Sequence, residues 1–135
     1  MRGLVRVGAA VPSLALGNVK ENMKRHLAMM REAKEKHVSI VTFPELSLTG
    51  YTCGDLFYSE LLLEAARDAL CSIADFTRGK APLVVLGAPL MANGKLYNCA
   101  AALHDGRILG LVPKSYLPNS SEFYEKRQFT SAACP

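Results

Sequence analysis

This 135-residue sequence predicts an α/β fold with a mixed sheet. Three observations carry that expectation. Short apolar runs alternate with two amphipathic stretches of helical period, which is the pattern of parallel strands joined by helical crossovers. Two turn dipeptides, Asn93-Gly94 and Asp105-Gly106, then connect further apolar runs as hairpins and add antiparallel strands. The composition is globular: 50% apolar and 21% charged, with no low-complexity run.

Each element has its own signal. The run from Leu4 to Val11 carries Val5 and Val7 and reads as a strand ended by Pro12. A helix follows, with Asn18 as its cap and Glu21 placed as a capping-box acid. Its apolar positions Val19, Met23, Leu27, Met30 and Ala33 keep the helical period, and this methionine stripe reads as core packing. Val38 to Phe43 is a second strand. The second helix covers roughly Ser59 to Thr77, with Leu62, Ala66, Ala69 or Leu70, Ile73 and Phe76 on its apolar side and Gly79 placed as a C′ glycine. The run PLVVLGAP is a third strand, Lys95 to His104 a fourth, and RILGLV a fifth, ended by Pro113. The tail beyond Leu117 reads as loop. Two helices that pack together cover one face of such a sheet, so strands of buried composition call for a second layer. The chain is therefore expected to be part of something larger or to need a partner.

Charge and cysteine usage narrow the function classes. Sixteen basic against twelve acidic residues leave +4, spread over helix faces. Nucleic-acid binders concentrate basic residues and interleave aromatics, so nucleic acid is not an expected partner. No apolar run approaches the length of a membrane span, and Arg6 and Pro12 interrupt any signal-peptide core. Cys53, Cys71, Cys99 and Cys134 form no CxxC pair, so no metal site is expected, and their wide spacing suits a reducing cytoplasm. Cys71 and Cys99 read as small buried hydrophobes.

The chemistry concentrates at two similar junctions. In TFPELS an apolar strand meets Pro44 and then Glu45; in LVPKSY another meets Pro113 and then Lys114. Ligands of parallel α/β sheets bind beyond the C-terminal ends of the strands. If both strands end at one edge, carboxylate and ammonium converge and offset each other's burial. Such a pair could be structural. It could also act, with the carboxylate as general base and the lysine stabilising an oxyanion. Amide chemistry would then need a third member, most simply a thiol activated by the base.

FPELSLTGY together with VPKSYLPN resembles the carbon–nitrogen hydrolase (nitrilase) superfamily, whose triad is Glu, Lys and Cys. The match is closer to the glutaminase domains of glutamine-dependent NAD synthetases, through GAP, Tyr97-Asn98 and VPKSYLPN…EFYEKRQF, and it runs from about Val5 to Phe129. The resemblance implies a partial α-β-β-α sandwich, with residues 1–135 as the N-terminal, C-terminally incomplete portion of the hydrolase domain. It implies Glu45 as the base, Lys114 at the oxyanion, and Glu125 as a second acid contacting the lysine. It places Tyr51 and Phe123 at the glutamine pocket, with Ser120 in the adjoining loop. Where that branch carries Tyr-Arg, this chain carries Ser120-Ser121, which bears on glutamine recognition.

The implied reaction is glutamine hydrolysis through a glutamyl thioester. The ammonia released would serve ATP-dependent amidation of deamido-NAD. No cofactor is implied for this portion; ATP and Mg belong to a synthetase domain. The implied partners are glutamine, the remaining domains and further copies in a homo-oligomer. Neither Cys53 nor Cys134 stands at the family's nucleophile position, so this portion is expected to be inactive alone. Two other readings stay open: a stand-alone amidase of the superfamily, and a non-catalytic truncated homologue acting as an interaction module.

Overall fold

The computed structural model describes residues 3–79, 81–120 and 123–133. The element order is β1 (Val7–Ala9), α1 (Val19–Glu35), β2 (Ile40–Thr42), α2 (Glu60–Phe76), β3 (Leu83–Ala92), β4 (Lys95–His104) and β5 (Arg107–Pro113). Short 3-10 turns occupy Gly54–Tyr58 and Glu125–Arg127. The five strands form one sheet in the order β1-β2-β3-β4-β5. β1, β2 and β3 run parallel, and β4 and β5 return as antiparallel hairpin strands.

This is the α/β mixed sheet that the alternation predicts. Some boundaries differ. β1 and β2 are shorter than their apolar runs; at the C-terminal end of β2, Pro44 cannot donate to a ladder and ends the pairing. β3 instead runs on to Ala92, since the hairpin pairs it with β4 as far as Ala92↔Lys95. Asn93 and Gly94, at φ 50° and 73°, and Asp105 and Gly106, at 46° and 78°, are left-handed pairs that match the twist of their flanking strands. Asn18 caps α1 by accepting from the Glu21 amide at 3.1 Å, and Ser59 caps α2 by accepting from Leu62. Thr77 caps the C-terminus of α2, so Gly79 lies two residues beyond the cap rather than one.

The helices pack on one face of the sheet. The core there contains Val41, Val84, Leu86, Ala101 and Leu103 from the strands, with Met30, Leu63, Leu70 and Ile73 from the helices. The stripe that α1 buries most deeply is not the purely apolar one. Asn22 and His26 are fully buried beside Val19, Met30 and Ala33, while Met23 and Leu27 are only partly buried. Cys71, expected inside, is exposed on α2; Cys99 is buried. Among the described residues, no helix packs on the opposite face of the sheet. Val7 and Val112 there are 66% and 68% exposed. In the register, Val7 pairs with Ile40, Ile40 with Leu83, Gly87 with Ala100 and Ala100 with Val112, so this open face is mostly apolar, with Thr42 and Asn98 as its polar positions toward the strand ends. Among the described residues, no helix is long and apolar enough to cross a membrane.

Candidate active site

Topology brings the two proline-then-ion junctions together. β2 is parallel to β3, and two antiparallel steps turn β5 back to the same direction. The C-terminal ends of β2 and β5 therefore meet one sheet edge, and Glu45 and Lys114 follow them directly.

The Glu45 side is built into the core. Phe43 donates the last ladder bond, to the Val85 carbonyl at 2.8 Å. Pro44 then ends the pairing and the chain winds into a tight turn. The Ser47 amide donates to Pro44, and those of Thr49 and Gly50 donate to Leu46. Leu46 adopts φ +51°, which costs a branched residue about 1–2 kcal/mol, and its side chain is wholly buried. The turn presses directly onto β3 at Gly87. A Cβ at Gly87 would lie 2.2 Å from the Leu46 nitrogen and 2.8 Å from the Glu45 carbonyl carbon. Only glycine permits that approach.

Glu45 is anchored through one oxygen. Its Oε1 accepts from Asn98 Nδ2 at 2.5 Å and from Lys114 Nζ at 2.7 Å. Oε2 has no hydrogen bond to the described residues. Asn98 is 3% exposed and projects from the middle of β4, whose carbonyl there also accepts from the Lys114 amide at 2.8 Å. Sequence reasoning did not place Asn98 in the site, although a lone Asn inside the apolar run of β4 was a signal, because a buried amide needs partners.

Lys114 holds a second carboxylate. Its Nζ donates to Glu125 Oε2 at 3.3 Å and lies 3.1 Å from Glu125 Oε1 as an ion pair without a hydrogen bond. Glu125 is 5% exposed, and Tyr51 OH donates to its Oε2 at 2.7 Å. Burial works against the Lys114 charge, but the bonds and charges of Glu45 and Glu125 outweigh it and hold the ammonium above its ordinary value. Lys114 is therefore a cation at neutral pH, shared by two acids.

Of the residues singled out from sequence, Glu45, Lys114, Glu125 and Tyr51 form one connected cluster. Phe123 joins its margin through an edge-on contact with Tyr51, with ring centroids 6.4 Å apart. Ser120 is exposed, and its described contact is a backbone bond that accepts from Phe123. Ser121 and Cys134 lie outside the described residues. The thiols of Cys53 and Cys99 are buried, and burial pushes both above their ordinary values, which opposes thiolate formation. Cys53 donates to the Thr49 carbonyl at 3.3 Å. Among the described residues, no cysteine hydrogen-bonds Glu45. The cleft beside Glu45 is lined by Gly87, Asn98, Val112 and Lys114 and opens beside the uncovered sheet face.

Residues 6–133 match the sequence pattern of the family described as carbon-nitrogen hydrolase. The chain belongs to that family. Among carbon-nitrogen hydrolase relatives, it is 39% identical over 127 residues to a glutamine-dependent NAD(+) synthetase of Mycobacterium leprae, covering 94% of this chain and 19% of that protein. It is 36% identical to the Aquifex aeolicus protein of the same name, covering 91% of this chain and 21% of that one. The solved glutamine-dependent NAD(+) synthetase of Cytophaga hutchinsonii superposes with a TM-score of 0.89 at 34% identity, over 94% of this chain and 22% of that one. A Nesterenkonia amidase shares the fold, with a TM-score of 0.82 at 20% identity over all of this chain and 51% of that one. The chain thus spans about a fifth of the length of the synthetases it matches, and about half that of the amidase.

Proposed function

We propose that this chain is the N-terminal portion of a glutaminase domain, which in a full-length glutamine-dependent NAD synthetase hydrolyses the amide of glutamine to supply ammonia. The observation that carries the reading is the Glu45–Lys114–Glu125 cluster, in which one ammonium bridges two acids at a single sheet edge. Glu45 keeps Oε2 for a proton while Asn98 and Lys114 hold Oε1. It serves as the base that takes the proton of an incoming thiol. The thiolate attacks the amide carbon. Lys114 stabilises the oxyanion that develops, and an ammonium kept charged by two carboxylates suits that task. Ammonia leaves with the proton that Glu45 returns, and water, deprotonated by the same carboxylate, releases glutamate from the thioester.

The thiol comes from outside the described residues, from a strand that packs against the open sheet face. ATP and Mg act in the synthetase part, where the ammonia is used. Tyr51 and Phe123 line the substrate side of Lys114, with Ser120 in the adjoining loop, and assembly into a homo-oligomer in the cytoplasm completes the reading. On this account the 135-residue chain alone releases no ammonia from glutamine.

The test is a hybrid in which residues 6–133 replace the matching segment of the Mycobacterium leprae relative. Glutamine-dependent NAD formation by the hybrid is the expected result. A hybrid that folds and makes NAD from free ammonia but not from glutamine overturns the reading. Hydrolysis of simple amides in place of glutamine would favour the stand-alone amidase.

A further inference from the structure

His26 is a fully buried ionisable side chain for which the chemistry above has no use. It lies on α1 and is not among the residues that line the cleft. Its Nδ1 is 2.6 Å from the Asn22 carbonyl, which can only accept, so Nδ1 carries the proton. In the neutral ring, which burial favours, Nε2 is the acceptor, 2.8 Å from Ser47 Oγ, and the Ser47 hydroxyl donates to it. Ser47 Oγ in turn accepts from the Gly87 amide at 3.4 Å. The imidazole stacks on Phe43 at 4.4 Å between ring centroids. Asn22, one turn earlier on α1, donates to the Leu48 carbonyl at 3.0 Å.

These bonds have one geometrical consequence. Phe43 is two residues before Glu45 and Ser47 two after it, and Gly87 is the point of β3 on which the turn rests. The imidazole therefore grips both ends of the segment that presents the carboxylate. Between them Leu46 is left-handed, a conformation that persists only where its surroundings over-determine it. A hydrocarbon side chain at position 26 would fill the space and satisfy neither Ser47 nor the turn.

We infer that His26 is a positioning residue. Through Ser47 and Phe43, its neutral Nδ1-protonated ring holds the Glu45 turn in the conformation that places the carboxylate against Asn98 and Lys114. Its meaning for catalysis rests on Glu45 being the base, but the coupling itself does not.

The experiment therefore reads geometry in the 135-residue chain by NMR. The Asn98 side-chain amide reports the bond to Glu45, and hydrogen exchange at the Leu48 and Gly87 amides reports the turn. His26→Phe keeps the ring stack and removes both nitrogens. It is expected to shift the Asn98 side-chain amide toward its free position and to speed exchange at Leu48 and Gly87 by about tenfold, the scale of one lost hydrogen bond. Ser47→Ala, which leaves the α1 core intact, should do the same. The double variant should add little to the Asn98 shift or to Leu48 exchange, since both substitutions remove the His26–Ser47 bond; at Gly87, Ser47→Ala also removes the amide's own acceptor. His26→Gln, which keeps an acceptor within reach of Ser47, should restore most of the Asn98 signal. If Ser47→Ala or His26→Phe folds and leaves the Asn98 amide and Leu48 exchange unchanged, the inference is wrong, even where His26→Phe lowers stability. Loss of glutamine hydrolysis in the hybrid with these couplings intact would count against the glutaminase reading and not against this one.

Discussion

The two halves of the Glu45–Lys114 pair are held in different ways. Glu45 sits on a turn wedged against Gly87, with Leu46 and Leu48 wholly buried beneath it and α1 gripping it through Asn22 and His26. Lys114 is steadied from a tail with fewer anchors. Glu125 reaches it from a 3-10 turn whose neighbours are Phe129, packed edge-on against Phe57 at 4.8 Å, and Arg127, paired with Asp55 at 3.0 Å in the open. Tyr58 OH also donates to the Arg127 carbonyl. The contrast indicates that Glu45 is preset by core packing, while Lys114 is set by Glu45 and trimmed by the tail. Substitutions on the two sides should therefore fail differently.

The largest effect is expected at Gly87. Alanine there would drive its Cβ into backbone atoms of Pro44, Glu45 and Leu46, none of which can swing aside. Gly87→Ala should cost more than about 3 kcal/mol or abolish cooperative unfolding, read as a denaturant midpoint. Phe129→Ala comes next, at about 3 kcal/mol from the lost ring burial against Phe57. It should also free Glu125 from Lys114 while leaving the Asn98–Glu45 bond in place, checked by NMR of the Asn98 side-chain amide. If that bond is lost as well, the two sides are one unit and the contrast fails.

A smaller effect is expected from pH. Burial pushes His26 below its ordinary value of 6.5, and the bond to Asn22 offsets this only in part. The folded state keeps the ring neutral, so below about pH 6.5 the unfolded state takes up the proton first. Stability from this residue is complete above that pH. It declines as pH falls toward the folded-state value, by at most about 1.4 kcal/mol per pH unit. His26→Phe should flatten that part of a stability-against-pH curve. The smallest effect belongs to Asp55→Asn. Both partners of the Asp55–Arg127 pair are solvent-exposed, so thermal unfolding at physiological salt should not change measurably.

How legible these two sides were in the sequence follows the same division. Periodicity placed every strand and helix, because apolar spacing reports which face meets the core. The Pro44-Glu45 and Pro113-Lys114 junctions could be read because proline ends a strand visibly and an ion just beyond an apolar run needs a reason. Asn22 and His26 escaped because polar residues in a charged helix read as surface, and the helical period was assigned to Met23 and Leu27. Their burial is affordable only because Ala15, Leu48 and Ser47 supply partners from 7 to 26 residues away. Gly87 gave no local sign of the turn it must admit, and Cys71 followed its hydrophobicity and not its side of α2.

The proposal that Glu45 is the base of a glutamine-hydrolysing site, completed by residues outside those described, can be tested at one atom. The direct measurement is Glu45→Gln in the hybrid carrying residues 6–133. Glutamine-dependent NAD formation should fall by at least about 100-fold, the lower range for a lost general base. Formation from free ammonia should stay unchanged. Equal loss with both nitrogen donors, or no loss with glutamine, would show that Glu45 is not that base.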